Sequence, residues 1–353
     1  MKVGITHGDF NGANYEILLK IFEDPRIPEL FTSVIYGSPK AAGWYRKALN
    51  LPQVQLNIID SAENAREGVV NMVNVTGNAE LDMQPGKSTS EAGEAARKAL
   101  EKAVADLKNG VIDVLVTAPI NKDNVQSEKF NFPGHTEYLE KELANEENPK
   151  ALMIMCSDSI RVALVTTHKP IHEIAASINE DVILEKLRIF SESLAMDFTL
   201  PHPKIAVLAL NPHASDNGLL GTEERDIISP AIEKAQEEGI MAFGPYGADG
   251  FFGSGNYRNF DGILAMYHDQ GLIPFKLLAM ENGVNYTAGL PYVRTSPDHG
   301  TAYDIAGKGI AEPDSFRNAI YKAIDIYRHR QANSVLRDNP LPKLYNTNHN
   351  PKE

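Results

Sequence analysis

Cysteine and tryptophan each occur once in the 353 residues. The single thiol, Cys156, excludes an intrachain disulfide framework and a CxxC metal site, fits a reducing compartment, and reads as a small core residue. Positive charge is also scarce. Against 47 Asp and Glu stand 34 Lys and Arg, a net charge of −13, which excludes broad attraction to a nucleic acid or an anionic membrane. Any anionic ligand must be held by a local basic site. No apolar run approaches the ~18 residues of a membrane helix, and MKVGITHGDF at the N-terminus lacks the basic, apolar and small-residue succession of a signal peptide. A cytoplasmic protein is expected, with neither membrane nor nucleic acid as partner. What is abundant is core: 42% of residues are hydrophobic and 23% charged, and at roughly 100–200 residues per domain two domains are expected.

Short apolar runs alternate with longer amphipathic stretches. Lys2–Thr6, Ser33–Tyr36, Val54–Ile59, Asp113–Thr117, Leu152–Cys156, Arg161–Thr166, Ile205–Leu210 and Gly262–Met266 read as buried strands. Between them Glu91–Lys108 places Ala92, Ala95, Ala96, Ala99, Ala103, Val104 and Leu107 at helical spacing, with Ser88 and Glu91 as a capping box. Asp181–Met196 and Thr222–Glu238 are also periodic, Pro230 starting a new segment or kinking the second. Ser315–Arg328 supplies a late helix, and the chain after Asn333 loses periodicity and is expected to run over the surface or fray. The rhythm predicts an α/β fold.

Several strand-like runs end in polar clusters, and open α/β sheets bind ligands beyond the carboxyl ends of their strands. His168, His213 and His268 each follow such a run. Three neutral imidazoles with an open position suit Zn, Co or Ni and polarise a hydroxyl or carbonyl; the alternative is polar residues capping strands. Asp269 beside His268 is either a supporting acceptor, a general base or a turn residue. Pro133-Gly134-His135-Thr136-Glu137 precedes helical Tyr138–Leu143 and presents either an anion site or Thr136 as a plain N-cap. Lys276, Asn285 and Arg294 can clamp a phosphate or carboxylate, Arg294 with a bidentate fork, or remain solvated.

From Asp298 to Ala311 a His-Gly turn is followed by Asp304 and two further glycines. Glycines admit a close nucleotide, and a carboxylate at Asp304 accepts a ribose diol while repelling a 2′-phosphate. No GxGxxG fingerprint follows the first strand.

His299–Ala311, HGTAYDIAGKGIA, resembles the adenosine-binding loop of the isocitrate and isopropylmalate dehydrogenases. TAPINK at Thr117–Lys122, PGHTE at Pro133–Glu137, VTTH at Val165–His168, NPHA at Asn211–Ala214, YHDQG at Tyr267–Gly271 and GVNYTAGLPYVRTSPDHGTA at Gly283–Ala302 together resemble the 4-hydroxythreonine-4-phosphate dehydrogenase family, in family order along nearly the whole chain. The resemblance implies a two-domain isocitrate/isopropylmalate dehydrogenase-like α/β fold with its site in the interdomain cleft. Residues 1–125 and 290–353 would form a first domain with the nucleotide loop, and 126–289 a second with metal and substrate residues. It implies His168, His213 and His268 as ligands of one divalent ion (Zn, Mg or Co) per subunit. His135, Thr136, Lys276, Asn285 and Arg294 become substrate contacts, and His299, Gly300, Thr301, Ala302 and Asp304 NAD contacts. Asp249 and Lys276 are the candidate proton acceptors. The family reaction oxidises 4-phosphooxy-L-threonine with NAD, followed by decarboxylation, in pyridoxal phosphate biosynthesis, within an obligate homodimer with shared sites.

Two departures stand out. Gly8–Glu16 carries Asn14 and Tyr15 where the family has a Gly-Pro pair, and Ala214-Ser215-Asp216 follows His213 where many members carry Gly-Glu. Three other readings remain: a family branch acting on D-threonate or D-erythronate 4-phosphate, a tri-histidine metal hydrolase, and a noncatalytic ligand sensor.

Overall fold

The computed structural model describes residues 1–52, 54–126, 132 and 134–338. Pro133 and the chain beyond Asp338, which includes most of the segment expected to run over the surface or fray, lie outside the described residues. Among those described, twelve strands form one sheet. The first half carries β1 (Lys2–Thr6), β2 (Thr32–Gly37), β3 (Leu56–Ile59), β4 (Val70–Asn74) and β5 (Val114–Thr117). The second carries β6 (Leu152–Cys156), β7 (Arg161–Leu164), β8 (Ile205–Leu208), β9 (Ala242–Tyr246), β10 (Gly262–Ala265) and β11 (Val284–Ala288). The chain then returns with β12 (Val293–Pro297) to lie beside β5. Across the sheet the order is β3-β4-β2-β1-β5-β12-β11-β6-β7-β10-β8-β9.

Pairings are parallel toward both edges, where crossovers run through helices, and antiparallel at the centre, between β12 and β11, β11 and β6, and β6 and β7. The helices are α1 (Asn14–Ile21), α2 (Ile27–Leu30), α3 (Pro39–Ala48), α4 (Ser90–Lys108), α5 (His135–Leu143), α6 (Ile171–Ser177), α7 (Glu180–Met196), α8 (Ser229–Glu237), α9 (Ala248–Gly253), α10 (His268–Ala279) and α11 (Asp314–Asp338). Strands buried on both faces read as nearly continuous apolar runs, as KVGIT and LMIMC do. Cys156 ends β6 in the core, where burial pushes its thiol up to about 12. No helix among the described residues is long and apolar enough to cross a membrane.

Local expectations shift in three places. Thr89, not Ser88, caps α4, its side chain accepting from Ala92 N, while Glu91 Oε2 accepts instead from Asp82 N. Pro230 sits in the first turn of α8, after a wide turn at Glu224–Ile228, because a proline lacks the N–H that only an interior position must supply. The last helix continues past Arg328 and Asn333 to Asp338; its final turns are exposed, so no apolar stripe announces them.

His7, just after β1, is fully enclosed. Its ring lies 5.5 Å from that of Tyr15, Nε2 is 3.3 Å from the Ala95 carbonyl, and Nδ1 has no partner among the described residues. Burial pulls the imidazole from 6.5 down to about 4. Below pH 6.5 the unfolded chain takes a proton that the folded one refuses. Stability is therefore expected to fall by about 3 kcal/mol as pH drops from 6.5 to 4. Urea unfolding of wild type and His7→Gln at both pH values checks this: the loss should be smaller in the variant, and equal losses would discard the assignment.

Candidate active site

The central hairpin builds the floor of a cavity of about 370 Å³. Antiparallel register sets Asn285 opposite Ser296 and Thr287 opposite Arg294, while Met155 and Met153 pair with Asn285 and Thr287 from the other side. Side chains alternate between faces of a strand, so these six share one face. Arg294, Asn285, Ser296, Met153 and Met155 line the cavity together with Thr117, Lys122, His135, Thr136, Glu137, His168, His268, Lys276, Asp298, His299 and Gly300. Most of the expected site residues therefore converge. Of the residues expected to clamp an anion, Asn285 and Arg294 come from within β11 and β12 and Lys276 from α10.

Arg294 is only 2% exposed. Its Nε and Nη2 donate to Thr117 Oγ1 at 3.1 and 2.5 Å and Nη1 to Thr287 Oγ1 at 3.0 Å. No carboxylate hydrogen-bonds to it among the described residues. Burial lowers the guanidinium pKa, and the charge of Glu137 opposes that shift. Beside it His135 Nε2 and Asn285 Oδ1 are enclosed without a partner among the described residues. Desolvation, then Arg294 and Lys122, hold His135 well below its ordinary value, so the ring is neutral. Gly134 is the N-cap of α5, so His135 and Thr136 lie in its first turn and Thr136 is not the cap. N–H groups at a helix N-terminus favour an anion, and the Glu137 carboxylate already accepts from its own backbone N–H in this turn.

Lys276 Nζ lies 3.2 Å from Asp298 Oδ1. Burial raises the Asp298 carboxyl against the pull of Lys276, and Oδ2 has no partner among the described residues. Burial lowers the His299 imidazole, Nδ1 donates to Gly300 O at 2.9 Å, and Nε2 has no hydrogen-bond partner among the described residues. Lys122, Glu137 and Asp298 are lining residues that motif reading passed over, although each stands inside a quoted motif.

Two of the three metal-ligand candidates meet. The rings of His168 and His268 are 6.1 Å apart. His168 Nδ1 faces Glu137 Oε1 at 3.4 Å and His268 Nδ1 faces Asp269 Oδ1 at 2.7 Å, and the bond from His168 helps hold Glu137 below its usual range. An ionised carboxylate only accepts, so each Nδ1 carries the proton and each Nε2 keeps its lone pair for a metal. The donor chemistry fits a divalent ion. Among the described residues, though, no three His, Cys, Asp or Glu side chains are grouped to hold one.

His213 is elsewhere. It opens a run, His213 to Asn217, with φ between 45° and 62°, a left-handed turn that costs L residues roughly 1–2 kcal/mol each. Buried Glu224 braces the approach to it, Oε1 accepting from Leu210 N and Asn211 N at 2.8 and 2.7 Å. Exposed His213 adjoins Gly247 and exposed Asp249 rather than the cavity lining: a Cβ on Gly247 would stand 3.7 Å from His213 Cα and 3.6 Å from Asp249 Oδ1.

His299 and Gly300 line the cavity, and the loop runs on through Thr301, Ala302 (φ 50°) and exposed Asp304. Thr301 O accepts from Ala13 N at 2.9 Å, where Gly12 admits contact closer than any Cβ allows. A Cβ at Gly300 would meet nothing within 4 Å. The space beside Gly300 at the cavity edge is therefore open.

A family model for the pyridoxal phosphate biosynthetic protein PdxA matches residues 29–323. The chain is 57% identical over 345 residues to a 4-hydroxythreonine-4-phosphate dehydrogenase of Bacteroides thetaiotaomicron, covering 98% of this chain and 94% of the other. It is 36% identical over 329 residues to a D-threonate 4-phosphate dehydrogenase of Pectobacterium atrosepticum, covering 92% and 98%. The crystal structure of a 4-hydroxythreonine-4-phosphate dehydrogenase from Klebsiella pneumoniae matches the fold with a TM-score of 0.80 at 31% identity, over 92% of this chain and 98% of that one.

Proposed function

Because the chain belongs to the PdxA family of pyridoxal phosphate biosynthetic proteins, we propose that it oxidises 4-phosphooxy-L-threonine with NAD to 2-amino-3-oxo-4-phosphooxybutanoate. Loss of carbon dioxide then leaves 3-amino-2-oxopropyl phosphate. The observation that carries this reading is enclosed Arg294, bonded to threonine hydroxyls and to no carboxylate among the described residues, beside His135 Nε2 and Asn285 Oδ1, which have no partner there.

In this reading Arg294, His135, Thr136 and Asn285 orient the phosphorylated substrate, replacing its water with fixed donors. His168 and His268 would hold a divalent ion, Zn, Mg or Co, with Glu137 and Asp269 fixing their rings. When bound, that ion supplies acidity to the 3-hydroxyl and draws electrons from the ketone as the C1–C2 bond breaks. The hydride passes from C3 to NAD. Lys276, paired with Asp298, is suited to return a proton to C2 after carbon dioxide leaves. Asp304 would accept the ribose diol and so favour NAD.

His213 and Asp249 share a surface away from this cavity, and we assign them to the site of a second copy, in a homodimer with shared sites. Two exposed apolar patches support that arrangement: Leu219 and Leu220 close after His213, and Ile273, Leu277 and Met280 along α10, which also bears His268 and Lys276. Asp249 then takes the hydroxyl proton. The D-threonate relative favours one competing substrate class, the aminoless 4-phosphates.

NADH formation from 4-phosphooxy-L-threonine and, separately, from D-threonate and D-erythronate 4-phosphates, each with divalent metal or chelator, tests the proposal. Chelator-sensitive turnover of the amino substrate alone is expected. Turnover of only an aminoless substrate moves the chain to the other branch, and no turnover of any removes the dehydrogenase reading.

A further inference from the structure

We propose that Glu16 and Lys20, on α1, clamp the turn at Gly307–Ala311 and are positioning residues for NAD. The proposal rests on the reading that the His299–Ala311 loop meets the dinucleotide. Glu16 is fully enclosed, 0% exposed. Its Oε2 accepts from Gly309 N at 3.1 Å and its Oε1 from Ala311 N at 2.7 Å. One helical turn on, Lys20 Nζ donates to Glu16 Oε1 at 3.0 Å and to the carbonyls of Gly309 and Ala311 at 2.9 and 2.8 Å. The three protons of the ammonium and both oxygens of the carboxylate are thereby used. Two side chains, each bonding the same two loop residues, fix both the donors and the acceptors of one short turn.

Besides this clamp the turn is held by Lys308 N donating to Ile305 O at 3.2 Å and by Ala311, buried in the core at its end. It belongs to no strand or helix, and Gly307 and Gly309 take φ of +74° and +76°, which leaves the backbone free to sample many shapes once unclamped. Lys308, Gly309 and Ile310 are exposed, so core packing does not set their position. Farther back the same loop is tied to the same N-terminal segment, Tyr303 OH donating to Asp9 Oδ2 at 2.7 Å and Ala13 N to Thr301 O at 2.9 Å. A buried ion pair contributes little to net stability and is better suited to fixing one conformation. Here the conformation fixed is that of the cofactor loop, and ordering it before binding spares the dinucleotide that cost.

The test compares NADH binding by the full-length wild type, Glu16→Gln and Lys20→Met, read from NADH fluorescence, together with backbone amide exchange at 305–311 and the KM for NAD against kcat. Both variants are expected to weaken NADH binding, Glu16→Gln by about tenfold or more and Lys20→Met by less, because charge-assisted hydrogen bonds are lost. Exchange in the turn should quicken in both. At saturating NAD, kcat should stay within about twofold, since neither residue reaches the cavity lining. Lys20→Arg, which keeps the charge and several donors, should recover part of the affinity. Lys20 is partly exposed, so its variant serves if Glu16→Gln does not fold. Unchanged NADH affinity in a folded variant with a faster-exchanging turn overturns the positioning role alone. Failure of wild type to bind NADH overturns the cofactor reading and the clamp's role with it.

Discussion

Arg294→Met is expected to lower kcat/KM for the phosphorylated substrate by about a thousandfold, equivalent to about 4 kcal/mol, while raising the melting temperature of the ligand-free protein. The two effects have one cause. The guanidinium is 2% exposed and bonded only to the hydroxyls of Thr117 and Thr287 among the described residues, with burial lowering its pKa. A cation enclosed with no carboxylate hydrogen-bonded to it among the described residues carries a desolvation cost, and a methionine of similar length on the sheet face it shares with Met153 and Met155 relieves that cost. Once substrate arrives, its anionic group is the missing partner, and methionine cannot supply the two N–H groups still unused. Thermal melts without substrate and steady-state kinetics with it check the pair of outcomes. Loss of stability together with activity would make Arg294 a structural residue of the β11–β12 hairpin instead.

That hairpin also shows why the sequence was only partly legible. Runs such as Lys2–Thr6 and Leu152–Cys156 lie in the core on both faces, so composition alone marks them as strands, with the bounds observed. VNYTA and VRTSP are just as buried, yet Asn285, Thr287, Arg294 and Ser296 interrupt them. The polar residues face the cavity, and the function that put them there erased the strand signal. β4 and β9 were missed for related reasons. Asn71 in the first is a buried side chain donating to Ser33 O and Arg66 O, and Gly244 and Pro245 break the second. Local rules fail where a site overrides them.

The candidate site divides along the same line. His135, His168, His268, Lys276, Asn285, Arg294 and His299 were legible because their motifs carry side-chain chemistry, and they do share one cavity. Glu137 and Asp298 were not singled out, since a carboxylate beside a histidine or lysine looks like surface charge until packing encloses it. Asn14 and Tyr15, the departures in the first loop, prove well used: Asn14 Nδ2 donates to Asp9 O and Pro119 O, and Tyr15 OH exchanges bonds with Ser38. The altered loop keeps its packing by side-chain bonds where the family pattern relies on glycine and proline. Its neighbour Glu16 needed the fold to be noticed, because its partners lie almost 300 residues away.

His213→Ala is expected to abolish metal-dependent turnover while leaving the fold intact, since the exposed side chain lies in no core cluster. The decisive form of this experiment mixes it with Arg294→Met. If His213 serves the cavity of a second copy, each variant alone is inactive, for every site lacks one group. In a dimer of one His213→Ala chain and one Arg294→Met chain, one site joins an intact Arg294 to an intact His213, and the other lacks both. Random re-pairing after mild dissociation of an equal mixture makes half the dimers mixed, with half their sites intact, so activity should return to about a quarter of wild type. A histidine acting within its own chain gives a different result: every site in every mixed dimer then lacks one residue, and no activity returns. The distance between His213 and the His168–His268 pair in one chain thus becomes a statement about assembly. Ile273→Glu or Leu277→Glu on the exposed face of α10 should remove complementation and turnover together, because a charge there opposes the contact that completes the site.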